Sequence, residues 1–220
     1  MPTFDTPTPI TAALDVPAGR VRVVAAERAG TTVEVRPVDA TRTRDVQAAE
    51  RTTVELHDDV LRVTTPARRE SLGPSGAVEV TVQLPAGSHL EATVAAAEVR
   101  AAGRLGDVTV RADAGDVVVD EAASARISTQ AGDVTVTRLG GDARITTAKG
   151  GITVTEARGG QLTLSTQAGD VTVGAAPGVS ASLDAGTGYG RIRNALASTG
   201  TAGLEIHATT AYGDITARSL

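Results

Sequence analysis

A glycine-led turn followed by a short alternating strand recurs through the second half of this 220-residue chain. Glycine permits a positive φ where the chain reverses, and the short aspartate side chain can accept a hydrogen bond from a nearby backbone N–H and close the turn. The recurrence therefore predicts a series of structural turns, each leading into a strand. The predicted turn residues are Gly106, Asp107, Gly115, Asp116, Gly132, Asp133, Gly169, Asp170, Gly213 and Asp214.

Two apolar columns give the repeat a period of about twenty residues, because a second alternating strand precedes each turn. The column after the turns is Val117, Val134, Ile152, Val171, Ile192 and Ile215, spaced 17 to 23 residues apart. The column in the preceding strands is Val110, Ile127, Ile145, Leu164, Leu183 and Ile206. Self-similarity at this period predicts a β-solenoid, in which like residues of successive 17–23-residue coils lie one above another.

Residue type and alternation indicate strands rather than helices. In Val134-Thr135-Val136 the apolar residues fall two apart, which is the period of a half-buried strand, and no helical stripe competes with this pattern. Hydrophobic residues make up 41% of the chain but aromatic residues only 1%, so the core must be built from small aliphatic side chains. Such side chains suit a narrow solenoid interior, and the predicted fold class is all-β.

Residues 1–88 repeat less clearly and are predicted to form an N-terminal β cap, continuous with solenoid repeats over 89–220 in one structural domain. The cap would cover the strand edges of the first coil. The charged segments 42–51 and 68–70 are predicted to be solvated loops. The expected cap strands are residues 10–16, 20–25, 31–36, 52–56, 60–64 and 77–84.

These features resemble a bacterial family of unknown function, whose members are described as β-strand-repeat proteins or "putative adhesins" and include many actinobacterial examples. The resemblance rests on the Gly-Asp-Val-Thr-Val turns and on residues 6–16, 80–88, 187–194 and 212–216, and it spans essentially the whole chain. It implies a right-handed β-helix-like fold. Because the family has no established reaction, the resemblance implies no catalytic residue.

The repeated aspartates have two interpretations. Stacked turns could align them as oxygen ligands for calcium, or each could simply cap its turn. Gly151 and Arg191 interrupt the column, and an arginine would repel a cation. The pattern favours turn capping and no metal site.

Tyr189 and Tyr212 occupy the same position in the last two coils and are predicted to stack. They would either stiffen the C-terminal coils or form a contact patch, since exposed tyrosines are favoured at interfaces. This pair is the candidate binding site.

Composition argues against several other functions. The chain has no cysteine, and its three histidines, His57, His89 and His207, stand isolated, so we expect no catalytic residue, no cofactor and no enzymatic activity. The net charge of −5 argues against nucleic acid as a partner. No apolar run approaches the length that spans a bilayer, and the opening residues lack a secretory signal, so we expect no membrane contact and a cytoplasmic location.

Two hypotheses remain. The favoured one is a non-enzymatic scaffold that associates with itself, end to end or as a dimer, or that binds a protein partner. The alternative is a carbohydrate-binding or surface adhesin-like module. The latter would bind through Tyr189 and Tyr212, whereas the former predicts assembly that depends on protein concentration.

Overall fold

The structure is a computed structural model that describes residues 2–66, 75–198 and 200–220. The predicted loop at 68–70 lies outside the described residues. The described chain consists of strands with one helix, which confirms the all-β class. Within these ranges no helix has the length and apolar character needed to span a membrane. The chain divides into two compact units, Met1–Gly115 and Asp116–Leu220.

The described residues of the N-terminal unit form seven strands and the helix. They are β1 Thr3–Asp5, β2 Thr11–Ala26, β3 Gly30–Pro37, α1 Thr43–Arg51, β4 Thr53–His57, β5 Val60–Thr64, β6 Val78–Pro85 and β7 His89–Ala114. The long β2 pairs in parallel with β7 on one side and with β5 and β6 on the other. Antiparallel pairs β5–β4, β6–β3 and β3–β1 complete this unit.

The helix α1 corrects the prediction of a solvated loop at 42–51. Asp45, in the first turn of α1, is only 2% exposed, and its Oδ1 accepts a hydrogen bond of 3.0 Å from the backbone N–H of Ala77. A carboxylate near a helix N-terminus also interacts favourably with the helix dipole. The sequence did not indicate this helix, because its charged residues suggested full exposure. The group that hydrogen-bonds the buried Asp45 carboxylate lies 32 residues away in the sequence.

The described residues of the C-terminal unit form ten further strands. They are β8 Val117–Ala131, β9 Val134–Leu139, β10 Ala143–Lys149, β11 Ile152–Ala157, β12 Gly160–Ala168, β13 Val171–Ala175, β14 Ala181–Tyr189, β15 Ile192–Ala195, β16 Leu204–Tyr212 and β17 Ile215–Ser219. They pair in parallel, so that like side chains stack in columns. The first column is confirmed up to Val171, through the pairs Val117–Val134, Val134–Ile152 and Ile152–Val171.

The last two coils do not stack in chain order. Val171 pairs with Ile215, and Ile215 pairs with Ile192. The coil made of β16 and β17 therefore lies between β12–β13 and β14–β15, and β14–β15 forms the end of this stack. The predicted order, with Ile192 directly after Val171, is wrong.

The second predicted column is also out of register at its end. Leu164 pairs with Ala208, whereas Ile206 pairs with Leu162 and with Leu183. The predicted alignment of Leu164 with Leu183 was therefore displaced by two residues. A shift of two keeps every side chain on its own face of the sheet, so alternation alone cannot detect it.

A polar residue in the core column explains why β14–β15 lies at the end. Asn194 pairs with Ala217, which pairs with Val173. In chain order, Asn194 would lie between Val173 and Ala217 and would bury an amide among apolar side chains. Burying an unpaired amide costs about 1–3 kcal/mol, whereas at the end of the stack Asn194 is exposed.

Candidate interaction surface

The turn aspartates link successive coils of the C-terminal unit. Asp116 Oδ1 accepts a hydrogen bond of 2.9 Å from the N–H of Asp133, and Asp133 Oδ1 accepts one of 2.7 Å from the N–H of Gly151. Asp170 Oδ1 likewise accepts from Asp214 at 2.7 Å. The donor thus lies in the neighbouring coil, not in the aspartate's own turn as predicted, because stacking brings the next turn's N–H directly over the carboxylate.

Asp214 continues this series to the end of the stack. Its Oδ1 accepts a hydrogen bond of 2.9 Å from the N–H of Arg191. The Arg191 side chain contains only donors, so it offers no acceptor to a further turn. The turn chemistry therefore agrees with the observed order, in which the Gly-Arg turn comes last.

The corner glycines are required by close backbone approach. Gly150 has φ +142°, and a Cβ placed there would lie 2.1 Å from the carbonyl oxygen of Gly132.

Gly106 and Asp107 do not form the predicted reversal, because they lie inside β7 and the positive φ falls at Gly103. Gly106 instead makes room for the His89 ring, whose Nδ1 accepts a hydrogen bond of 2.9 Å from the N–H of Asp107.

Tyr189 and Tyr212 stack, as predicted. Their ring centroids are 5.2 Å apart with an interplanar angle of 2°. The two residues are Cα partners on the neighbouring strands β14 and β16, and they remain 72% and 61% exposed. On the other side of Tyr212, its partner on β12 is the small residue Ala168.

The end of the stack leaves two strand edges without a strand partner among the described residues. β14 pairs only with β16, and β15 pairs only with β17. Ile192 on β15 is 45% exposed, although its column is otherwise buried. Arg191 and Arg193 approach Asp214 Oδ2 at 3.7 and 3.4 Å, so β15 has two arginines at its edge.

The outer face of β12, β16 and β14 forms a shallow polar groove of about 420 Å³. His207 Nδ1 lies 2.9 Å from Asp184 Oδ2, which ties β16 to β14. Glu205, the Cα partner of Ser182, also lines the groove. Within the described parts of the chain, no group of three or more histidine or acidic side chains is arranged to hold a metal ion.

A second groove, of about 310 Å³, lies on the N-terminal unit. It is lined by Arg20, Arg22 and Arg100 together with Glu79 and Glu98. Arg20 pairs in register with both glutamates, so the charges largely compensate along this row.

Two side chains away from these surfaces have pKa values displaced by hydrogen bonds. The Thr41 hydroxyl, followed by the Thr41 backbone N–H, lowers the pKa of Asp39. A hydrogen bond from the Arg158 guanidinium to Glu156 raises the pKa of Arg158.

The sequence interpretation found the tyrosine pair but missed the free edge of β14. Two residues signalled that edge. Arg191 stands where most other turns have an aspartate, Gly151 being the other exception, and Asn194 stands in a column that is otherwise apolar. Both departures mark the terminal coil.

Comparison with known proteins places the chain in a family. The sequence profile of the Toastrack DUF4097 family matches residues 13–219. No curated protein shows significant sequence similarity to the chain.

Several solved structures resemble this chain at low sequence identity. A "putative adhesin" from Bacteroides fragilis is 10% identical, with 100% of this chain and 95% of that chain covered and a TM-score of 0.48. A "putative adhesin" from Parabacteroides distasonis is 13% identical, with coverage of 98% and 95% and a TM-score of 0.46. A "putative lipid binding protein" from Parabacteroides distasonis is 10% identical, with coverage of 98% and 95% and a TM-score of 0.44. Since the family profile covers nearly the full length, this chain belongs to the Toastrack DUF4097 family.

Proposed function

We propose that the protein is a non-enzymatic scaffold that self-associates through the free edge of β14. The observation that carries this proposal is the composition of that edge. Residues 182–189 contain one charged side chain, Asp184, and no proline. Edge strands of proteins that stay monomeric are normally guarded by charges, proline or bulges, because an open edge pairs readily with another chain.

The neighbouring edge shows the contrast. β15 has Arg193 and is preceded by Arg191, so two charges guard its four residues. Among the described residues of the loop after β15, Ala197 contacts the start of β14, where the Ala181 N–H donates a hydrogen bond of 3.1 Å to the carbonyl of Ala197. Within the described part of the chain, no strand pairs with the rest of the β14 edge.

A second copy of the chain is the partner that this edge fits. In a two-fold antiparallel pairing of two β14 strands centred on Ala185 or Gly186, residues that face the core in one copy lie opposite residues that face the core in the other. Asp184 of each copy then lies opposite Gly186 or Gly188 of the other, so no like charges face each other directly. Leu183 and Thr187, which are half-buried in one copy, would become covered.

The antiparallel strands of the N-terminal unit support the predicted cap. There β3, β4 and β1 pair antiparallel, and we propose that these strands form the cap expected for residues 1–88. We also propose right-handed coils of 17–23 residues for the repeats. Two-fold contact at β14 uses this edge in both copies, so it gives a closed dimer rather than an open filament.

Mass measured by light scattering after size exclusion, over a wide range of protein concentration, tests the proposal. We expect wild-type protein to shift from about 22 kDa towards twice that mass. Leu183→Lys should keep the protein monomeric. In the monomer the lysine ammonium lies in water at the open end of the stack, whereas the dimer would bury this charge without a partner. Ser182→Lys adds the same charge on the outer face and should still dimerise.

Circular dichroism spectra of both variants should match wild type, which would show that the fold is retained. A wild-type chain that stays monomeric at every concentration would falsify the proposal. Equal dimerisation of Leu183→Lys and Ser182→Lys would also exclude β14 as the contact.

A further inference from the structure

A notch lies beside the stacked tyrosines, on the side away from the end of the stack. Lys149, Ala168, Tyr212 and Tyr189 are successive Cα partners across β10, β12, β16 and β14. Lys149, Ala168 and both tyrosines are exposed. Ala168 therefore forms a low floor between an aromatic ring and an ammonium group, and we call this space the Ala168 notch.

The ring geometry gives the notch a flat wall. The tyrosine rings are parallel within 2° and 5.2 Å apart, close to the spacing of about 4.8 Å between neighbouring strands. Their faces are therefore directed along the stack. One face of Tyr212 contacts Tyr189, and the opposite face looks over Ala168 towards Lys149.

The width of the notch accepts one ring. Lys149 and Tyr212 are two strands apart, which corresponds to roughly 9.6 Å at the usual strand spacing. A ring that contacts Tyr212 on one side and the Lys149 side chain on the other needs two contacts of about 3.5–4.0 Å each. One saturated or aromatic ring therefore fits, and two do not.

The polar groups around the notch define the charge of its ligand. Lys149 is the single lysine of the sequence, and it makes no ion pair with any described residue. Gln167 is exposed next to Ala168, and its amide likewise makes no hydrogen bond within the described ranges. The turn carboxylates nearby, Asp133 and Asp170, each accept a backbone N–H of the next coil through Oδ1.

We propose that the Ala168 notch binds an acidic sugar, a hexuronate unit of an acidic polysaccharide. The apolar C–H face of the sugar ring packs on Tyr212, the carboxylate pairs with Lys149, and the ring hydroxyls bond to the amide of Gln167. A cationic ligand could also stack on tyrosine, but the ammonium of Lys149 repels it. The site uses the inner face of Tyr212, so it does not depend on self-association through β14.

Intrinsic tyrosine fluorescence gives a direct assay, because the chain has two tyrosines and no tryptophan. Titration with a galacturonate tetramer should change the emission saturably, and a neutral galactose tetramer should bind at least about tenfold more weakly. Lys149→Gln should abolish this preference by weakening galacturonate at least about tenfold, with galactose unchanged. Arg144→Gln removes another exposed cation of β10 and should leave both affinities unchanged.

A filling variant tests the notch itself. Ala168→Tyr should extend the aromatic ladder, keep the circular dichroism spectrum and abolish galacturonate binding measured by calorimetry. The mass of the Lys149→Gln variant should change with protein concentration as that of wild type does, which would show that ligand binding at the notch is independent of the β14 contact. The proposal is overturned if wild-type protein shows no saturable binding of the galacturonate tetramer, if Lys149→Gln binds it as wild type does, or if Ala168→Tyr binds it unchanged.

Discussion

The order of the last two coils can be tested by one substitution made at two positions. Ile192 and Ile215 are the same residue in the same column, and they are Cα partners. In the observed order Ile215 lies between Val171 and Ile192 and is 1% exposed, whereas Ile192 lies at the end and is 45% exposed. Replacing each by asparagine therefore shows how the position of a residue in the stack changes the loss of stability that the substitution causes.

The magnitudes follow from burial. Ile215→Asn loses about 1.5–3 kcal/mol of apolar burial and adds about 1–3 kcal/mol for an unpaired buried amide. Ile192→Asn loses roughly half of the burial term and leaves its amide in water, so about 1 kcal/mol is expected. The two variants should differ by roughly 2–5 kcal/mol in the free energy of unfolding. For a chain of this length, that corresponds to a difference of about 4–20 °C in Tm.

Thermal unfolding followed by circular dichroism, at a concentration where the protein is monomeric, measures this difference. Ile215→Asn should have the lower Tm. If the coils stacked in chain order, Ile192 would lie inside the stack and Ile215 at its end, so the ranking would reverse. A Tm of Ile192→Asn equal to or below that of Ile215→Asn would refute the observed order.

Three further outcomes are expected. Gly150→Ala should destabilise the protein by about 1–3 kcal/mol or more in chemical unfolding, because its Cβ would lie 2.1 Å from a facing carbonyl oxygen at a φ of +142°; unchanged stability would contradict this corner geometry. Asp133→Ala should cost about 0.5–1.5 kcal/mol by the same assay through loss of the bond to Gly151, whereas Asp133→Asn keeps an acceptor and should stay close to wild type. Thr41→Ala should raise the pKa of Asp39 towards its usual range in an NMR titration. Since folding lowers that pKa, the stabilisation is present above the usual carboxyl pKa and is lost as the pH falls through the lowered value.

Local chemistry predicted much of the fold and part of the candidate surface. Alternation around Val134 and Ile152 identified strands, since a half-buried strand requires that period. The repeat placed Tyr189 and Tyr212 in one column, and they stack. The helix α1 escaped prediction because the buried carboxylate of Asp45 is satisfied by the distant N–H of Ala77.

The sequence by itself determined most of the strands and most corner glycines, because these follow from side-chain alternation and from backbone conformations that only glycine adopts freely. Only the tertiary structure decided which coil lies beside which, and hence where the stack ends. Neighbouring coils have nearly the same alternation of apolar and polar side chains. The two possible stacking orders of the last two coils therefore make almost the same local contacts. The difference comes from long-range packing, which buries Ala217, leaves Asn194 in water and gives Arg191 the last turn.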